Sequence, residues 1–403
     1  MELSIKEENK GRIFTAIHHG NVLGYVAIDS TIRGRSCGGL RMLPDIDEAE
    51  IQALARSMTL KYGFLGLPQG GAKAGILGNP EVPQQERLER LVEFGQAIAP
   101  LLRSKVFVPN ADMGTESADI RHMLNAVGIR VSYRDLRDNL SGYYTALSVR
   151  TAVVQSARHI GLNLSKCTAA IEGFGNVGRP LASLLGGTGI KVVAISTSRG
   201  ALYNPQGLHV DRLVRLVEEA GSRMVELYHD AEPIAREKLL ELPVDILCPC
   251  ARWNSLNMSN VHRIAAQVIC PGANNPITPD AERALFKRGV LCLPDFVTNC
   301  GGVLGGTMEF ASVSREKISK FINRHIGVRI AWLLNEAKSN HQLPREVAIP
   351  HALQRFNRVA QSAERPTPLS RLFNLGLEFY RHGWIPGRLV APLSLGYFKK
   401  LLT

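Results

Sequence analysis

"CTAAIEGFGNVGRPLASLLGGTGIKVVAIS", Cys167 to Ser196, is the stretch on which the fold turns. TAAIE is a short apolar run stopped by a glycine, the pattern of a buried strand. RPLASLL follows with helical spacing, and KVVAIS is a second apolar run. Strand, glycine turn, helix and strand make one βαβ unit. Gly173, Gly175 and Gly178 supply G-x-G-x-x-G in the context that gives this pattern its meaning. The first glycine makes the tight turn, the second admits a pyrophosphate, and the third lets helix and strand pack closely. Asn176 and Val177 complete the turn, at a helix N-terminus whose backbone N–H groups suit an anion. The stretch reads as a dinucleotide-binding turn.

In such units the second strand usually ends on an acid that holds ribose hydroxyls. Here it ends Ser196, Thr197, Ser198, Arg199. Hydroxyls and an arginine suit a 2′-phosphate better, so Thr197 and Arg199 point to NADP, with NAD as the alternative. Downstream, VDILCPCA, AQVICPGANNP, a helix at DAERALFKRG, and VLCLPDFV continue the alternation. Alternation of this kind implies an α/β fold with a doubly wound parallel sheet of Rossmann type.

Upstream, RIFTAIHHGNVLGYVAIDS reads as a small sheet. In PDIDEAEIQALARSMTLKYG, Asp47 and Glu50 match a capping box, and Ile51, Leu54, Ala55, Met58 and Tyr62 share one helix face. Lys61 falls at the edge of that stripe. Its stem could lie along the core with the amine in water, or the amine could enter a cleft. Next, LPQGGAKAGILGNP sets Lys73 among glycines, as if in a bend. A phosphate loop needs G-x-x-x-x-G-K-[ST], but Ala72 and Ala74 flank this lysine. Asp112 stands in PNADMGT. Two lysines brought together and partly buried lower one another's pKa towards the range of acid–base work, and a carboxylate beside them can shuttle the proton.

The 403 residues suffice for two domains, and 45% hydrophobic with 21% charged residues is a globular composition without a bilayer-spanning run. The charged start, MELSIKEENKGR, lacks the apolar core of a secretory signal, so a cytoplasmic protein is expected. Seven cysteines without disulfide-like spacing read as reduced thiols. Cys248 and Cys250 lack the spacer and second pair of a metal site. The net charge of +12 is spread along the chain rather than clustered, which suits anionic small molecules or solubility better than nucleic acid.

Six motifs in order, CGGLRM, MTLKYGFLGLPQGGAKAGI, PNADMGT, EGFGNVG, PGANNPIT and PDFVTNCGGV, resemble the glutamate/leucine/phenylalanine/valine dehydrogenases. The resemblance covers roughly Gly38 to Glu309. The resemblance implies reversible oxidative deamination of an L-amino acid to a 2-oxo acid and ammonia, with hydride passing to a nicotinamide. It implies that Lys61 grips the substrate α-carboxylate, that Lys73 activates water and stabilises the carbinolamine, and that Asp112 exchanges protons with the amino group. Ser141 falls where the family places a threonine near the nicotinamide amide. Asn275 and Asn299 lie in segments near the nicotinamide and the substrate. A homo-oligomer is also implied. The expected organisation is a substrate-binding and oligomerisation domain over 1–138, a dinucleotide-binding domain over 139–330, and a C-terminal helical segment over 331–403 that returns to the first domain.

Two positions depart from the glutamate enzymes of the family. Cys37 stands where they carry a lysine for the side-chain carboxylate, and Gly306 where they carry a serine. A buried carboxylate without partners costs several kcal/mol. The expected substrate is therefore an apolar or otherwise unusual L-amino acid, with Asn110 also lining the pocket and Met58 agreeing with the leucine-type branch. Arg33 and Arg35 could still meet an acidic side chain if either turned inward, which keeps an atypical glutamate dehydrogenase as an alternative. PCARWN replaces a run like PAALEN, and the apolar, basic tail from Thr367 matches no family motif. A catalytically retired, cofactor-binding relative is the remaining rival, opposed by the joint presence of Lys61, Lys73 and Asp112.

Overall fold

The computed structural model describes residues 2–8, 11–132, 140–365 and 367–402. It divides into two compact units. One is Met1–Asn139 with Phe310–Ser312 and His351–Thr403, the other Leu140–Glu309 with Val313–Pro350. The second unit thus runs past the boundary expected at 330. The boundary expected at 138 falls within 133–139, outside the described residues.

The first unit begins β1 (Glu2–Glu8), β2 (Gly11–His18), β3 (Asn21–Ile28), β4 (Ser36–Leu43), α1 (Glu48–Leu65) and β5 (Gly70–Leu77). It continues α2 (Gln84–Ala97), α3 (Ala99–Arg103), β6 (Phe107–Ala111) and α4 (Ser117–Ala126). The sheet order is β1-β2-β3-β5-β4-β6. β1, β2, β3 and β5 pair antiparallel, whereas β5, β4 and β6 run parallel. His19 and Gly20 close the β2–β3 hairpin with φ of 48° and 77°, the left-handed pair that a two-residue turn requires.

The segment read as a glycine bend is an interior strand, β5, and the reason lies in its two faces. Ala72, Ala74 and Ile76 enter a core with Leu91 and Phe94 of α2 and Ile120 and Met123 of α4. Gly71, Lys73 and Gly75 take the opposite face, which α1 covers. A β-carbon on Gly71 would collide with the Thr59 amide, and one on Gly75 would lie 2.6 Å from Ile51 Cδ1. The glycines are therefore not turn formers. They let a helix rest on strand backbone on either side of one lysine.

The second unit holds α5 (Ser141–His159), β7 (Thr168–Glu172), α6 (Gly178–Gly186), β8 (Lys191–Thr197), β9 (Gly200–Tyr203), α7 (Val210–Ala220), α8 (Met224–Leu227), β10 (Glu232–Ile234) and α9 (Arg236–Leu240). β11 (Ile246–Pro249), β12 (Val268–Ile269), α10 (Pro279–Lys287), β13 (Leu291–Cys292), α11 (Asp295–Thr298), α12 (Gly301–Phe310), α13 (Arg315–Phe321) and α14 (Gly327–Ser339) follow. Its order is β10-β9-β8-β7-β11-β12-β13. The five strands from β8 to β13 are parallel, as expected. β9 and β10 add an antiparallel edge that the sequence reading did not anticipate. The strands are short and buried, with Ala170, Val193, Leu247 and Ile269 packing against Leu239, Ile264 and Leu285.

The chain ends in α15 (Pro344–Glu364), α16 (Pro368–Arg381) and α17 (Gly387–Leu402). From His351 onwards it is part of the first unit. Gly63 of α1 lacks the side chain that would strike the Ala352 carbonyl, and Arg355 donates to the Leu401 carbonyl.

Candidate active site

On the α1-covered face of the first sheet, period-two alternation brings Cys37, Gly39 and Arg41 of β4 beside Lys73 of β5. Register places Cys37 against Gly71 and Arg41 against Gly75, with Asn110 of β6 opposite Gly39. Asp112 follows directly on β6. A tight exit turn fixes it: its N–H donates to Thr115 Oγ1 at 3.1 Å, that hydroxyl donates to the Leu40 carbonyl at 2.7 Å, and Gly114 has a φ of 76°.

Lys73, 3% exposed, donates to Asp112 Oδ2. Arg41 donates to the same oxygen through Nε at 3.2 Å and Nη2 at 3.1 Å, and through Nη1 to the buried Glu50. Gly39 leaves the space this pair occupies, since a β-carbon there would lie 2.9 Å from Lys73 Nζ and 2.8 Å from Asp112 Cβ. Lys61 is 5% exposed, so its amine is not laid out in water.

These charges set the chemistry. Burial lowers Lys73, the Asp112 carboxylate partly offsets it, and Arg41 and Lys61 lower it again, leaving it at about 8. Burial alone would raise Asp112, but Lys73 and Arg41 outweigh it and hold the carboxyl well below the usual range. Burial would likewise lower Arg41, yet Asp112 and Glu50 raise it. Asp112 is a fixed anion, Arg41 a fixed cation, and Lys73 an amine that can gain or lose a proton near neutral pH.

Neutral groups occupy the neighbouring surface. Asn110 Nδ2 donates to Cys37 Sγ at 3.0 Å, and the Tyr62 hydroxyl to the Cys37 carbonyl at 3.4 Å. Burial pushes the Cys37 thiol and the Tyr62 phenol upward, so both stay uncharged. Arg33 and Arg35 are exposed, and Arg33 gives its Nε to the Ala363 carbonyl at 2.6 Å.

In the second unit the glycine turn fits a dinucleotide by three separate tests. Gly173 has a φ of 90°, a β-carbon at Gly175 would meet nothing within 4 Å, and one at Gly178 would strike the Gly173 carbonyl. The turn is tied to β8 by Gly173 N to Ser196 Oγ at 2.9 Å and Phe174 N to the Ser196 carbonyl at 2.7 Å. Asn176 is exposed and Val177 half-buried at the start of α6. The Thr197 hydroxyl is engaged, donating to the Ser222 carbonyl at 2.9 Å and accepting from Arg199 N at 3.2 Å, while the Arg199 side chain is exposed.

Ser141 opens α5, and Gly306 is half-buried on α12. Asn275 has a φ of 48°, and its N–H donates to Asp295 Oδ2 at 3.1 Å, which holds this unusual backbone. Asn299 turns its amide onto the adjoining loop, donating to the Ala273 carbonyl at 3.0 Å and Asn274 Oδ1 at 2.9 Å. It clips the PGANN segment in place.

Sequence reasoning missed Arg41, Glu50 and Gly39 as members of the site. Arg41 and Gly39 share a strand face with Cys37, a period-two signal that was available. Asp47 does cap the helix, accepting from the Glu50 N–H at 2.7 Å, but the Glu50 side chain has another use. Its carboxylate goes to Arg41, which the capping pattern hid.

Family models match both parts of the chain: "Glu/Leu/Phe/Val dehydrogenase, dimerisation domain" over residues 13–128 and "Glutamate/Leucine/Phenylalanine/Valine dehydrogenase" over 139–364. The chain is 36% identical to a glutamate dehydrogenase of Thermotoga maritima over 300 residues, 71% of this chain and 72% of that protein. It is 35% identical to an NAD-specific glutamate dehydrogenase of Staphylococcus aureus over 299 residues, again 71% and 72%. Among solved structures, a hetero-hexameric glutamate dehydrogenase from Thermus thermophilus in a leucine-bound form superposes with a TM-score of 0.73 at 24% identity, covering 88% of each chain.

Proposed function

The chain belongs to the glutamate/leucine/phenylalanine/valine dehydrogenase family, an NAD(P)-dependent oxidoreductase acting on the CH–NH2 group of amino acids, and from that premise we propose that it deaminates an apolar or otherwise unusual L-amino acid rather than glutamate. The observation that supports this is the neutral surface beside the Lys73–Asp112 pair, formed by Cys37, Asn110 and Tyr62. Arg41 is no substitute anchor, because Glu50 and Asp112 already neutralise it.

In this reading Lys61 pairs with the substrate α-carboxylate. Lys73, free-base above about pH 8, takes a proton from the attacking water and then stabilises the developing carbinolamine as the ammonium. Asp112, which Lys73 and Arg41 keep ionised in the resting site, takes the amino group's proton only transiently and hands it back. Gly173, Gly175, Asn176, Val177 and Gly178 would hold the cofactor pyrophosphate, and a bound cofactor would supply the hydride acceptor for the α-carbon. Arg199 at the end of β8, without a carboxylate beside it in sequence, supports NADP over NAD.

A second reading, glutamate with an atypical pocket, is favoured by the names of the 35–36% identical relatives. A panel of L-amino acids and their 2-oxo acids, each assayed with NADP and NAD, separates the two. Apolar substrates should exceed glutamate in kcat/KM by about tenfold or more, the scale of a lost charged contact. Glutamate at the top of the panel would overturn the assignment, and a strong preference for NAD would overturn the cofactor choice.

A further inference from the structure

The family match ends at residue 364, and the two helices beyond it carry an unusual surface. α17 has two apolar stripes. Ser394, Phe398 and Leu402 are buried inward. On the opposite side, at about 100° per residue, Leu389, Leu393, Tyr397 and Lys400 fall within a band about 80° wide. Leu389 is 60% exposed and Leu393 79%. Rings join this stripe to α16: Phe373 stacks on Tyr397 with centroids 5.7 Å apart, and Phe379 lies 5.2 Å from Trp384, itself 71% exposed. Exposed leucines and rings thus stand on α17, on α16 and, through Trp384, on the segment between them.

The charge here is one-sided. From Pro368 on, the sequence carries Arg371, Arg381, Arg388, Lys399 and Lys400 against one acid, Glu378, which already pairs with Arg381 at 3.0 Å. Arg388 and Lys399 are exposed on one flank of the apolar stripe of α17, and Lys400 lies on the stripe itself. No helix among the described residues is long and apolar enough to cross a membrane. Exposed leucines and an exposed indole on helices that carry basic side chains suit burial in the headgroup layer of an anionic bilayer. A two-fold contact with a second copy would instead bring two such basic faces together.

We propose that α16 and α17 form a docking face for the surface of an anionic lipid bilayer. The test is co-sedimentation of the full-length protein with vesicles of phosphatidylcholine alone and of equimolar phosphatidylcholine and phosphatidylglycerol. The protein should bind the anionic vesicles only, and less at high salt. The double variant Leu389→Glu/Leu393→Glu should lose binding, and Lys399→Glu/Lys400→Glu should weaken it about tenfold or more, the scale of one kcal/mol per basic residue near such a surface. Dehydrogenase activity and the circular dichroism spectrum should stay unchanged in both variants, which shows that they fold. Absence of binding by the wild-type protein, or equal binding to neutral vesicles, overturns the proposal. So does a fall in assembly size by light scattering in Leu389→Glu/Leu393→Glu when the wild type ignores vesicles, because the face then joins copies of the chain.

Discussion

Each unit of the molecule buries an arginine between two carboxylates, and the two clusters differ by one lysine. In the first, Arg41 bridges Glu50 and Asp112, and Lys73 shares the latter. In the second, Arg345 meets Glu282 at 2.6 Å and Asp295 at 2.9 Å, with Asp295 also receiving the Asn275 N–H. Burial by itself would lower Arg345, but Asp295 and Glu282 raise it, so its guanidinium stays charged at every ordinary pH. A guanidinium cannot surrender its proton, whereas a buried amine can. The second cluster is a fastening. The first is a fastening with a proton to give.

Lys73→Ala breaks this contrast most severely. Turnover should fall about 10³–10⁴-fold, the scale of a lost acid–base group, with NADP binding retained in a fluorescence titration. In the wild-type chain, kcat/KM for deamination should climb with unit slope to a plateau above about pH 8. The folded pKa lies below the ordinary 10.5, so the folded state binds fewer protons between 8 and 10.5 and this group adds stability as pH rises through that window. Unchanged turnover in the variant would erase the difference between the clusters.

Arg345→Met tests the other side. Urea denaturation should show a loss of about 3–5 kcal/mol, because two buried carboxylates lose their cation. The surviving folded protein should keep kcat within about twofold. A large fall in kcat without destabilisation would make this cluster chemical as well.

The smallest effect concerns Glu172, at the end of β7. Burial raises its carboxyl, Ser255, Arg236 and Arg252 offset part of this, and the group rests at about 7. Its folded pKa exceeds the ordinary 4.5, so the folded state holds the proton longer and stability falls as pH rises from 4.5 to 7. Glu172→Gln should flatten that slope, by an amount of order 1 kcal/mol, in thermal melts across the window. An unaltered slope would assign the titration to another group.

The dinucleotide half was the more legible because its signals are local: strand, turn and helix lie within thirty residues, and each glycine answers a separate steric demand. The edge strands β9 and β10 escaped because they are only four and three residues long. In the first unit the glycines around Lys73 suggested a turn. Their real use, contact with a helix twelve to twenty-four residues earlier, involves no local signal. Lys73 and Asp112 stood out by residue type, and the resemblance supplied their roles. Arg41 stayed hidden because its partner Asp112 is 71 positions away and its other partner resembled a cap.

Gly71 and Gly75 let α1 settle on β5, and that spacing keeps water from the amine between them. Proton affinity at Lys73 is thus a gauge of helix height above the sheet. Gly71→Ala would wedge the two apart without touching a charged atom, and the acid limb of the pH profile would slide towards that of an ordinary lysine. Two missing methyl groups thus set how closely the helix approaches the strand that carries Lys73.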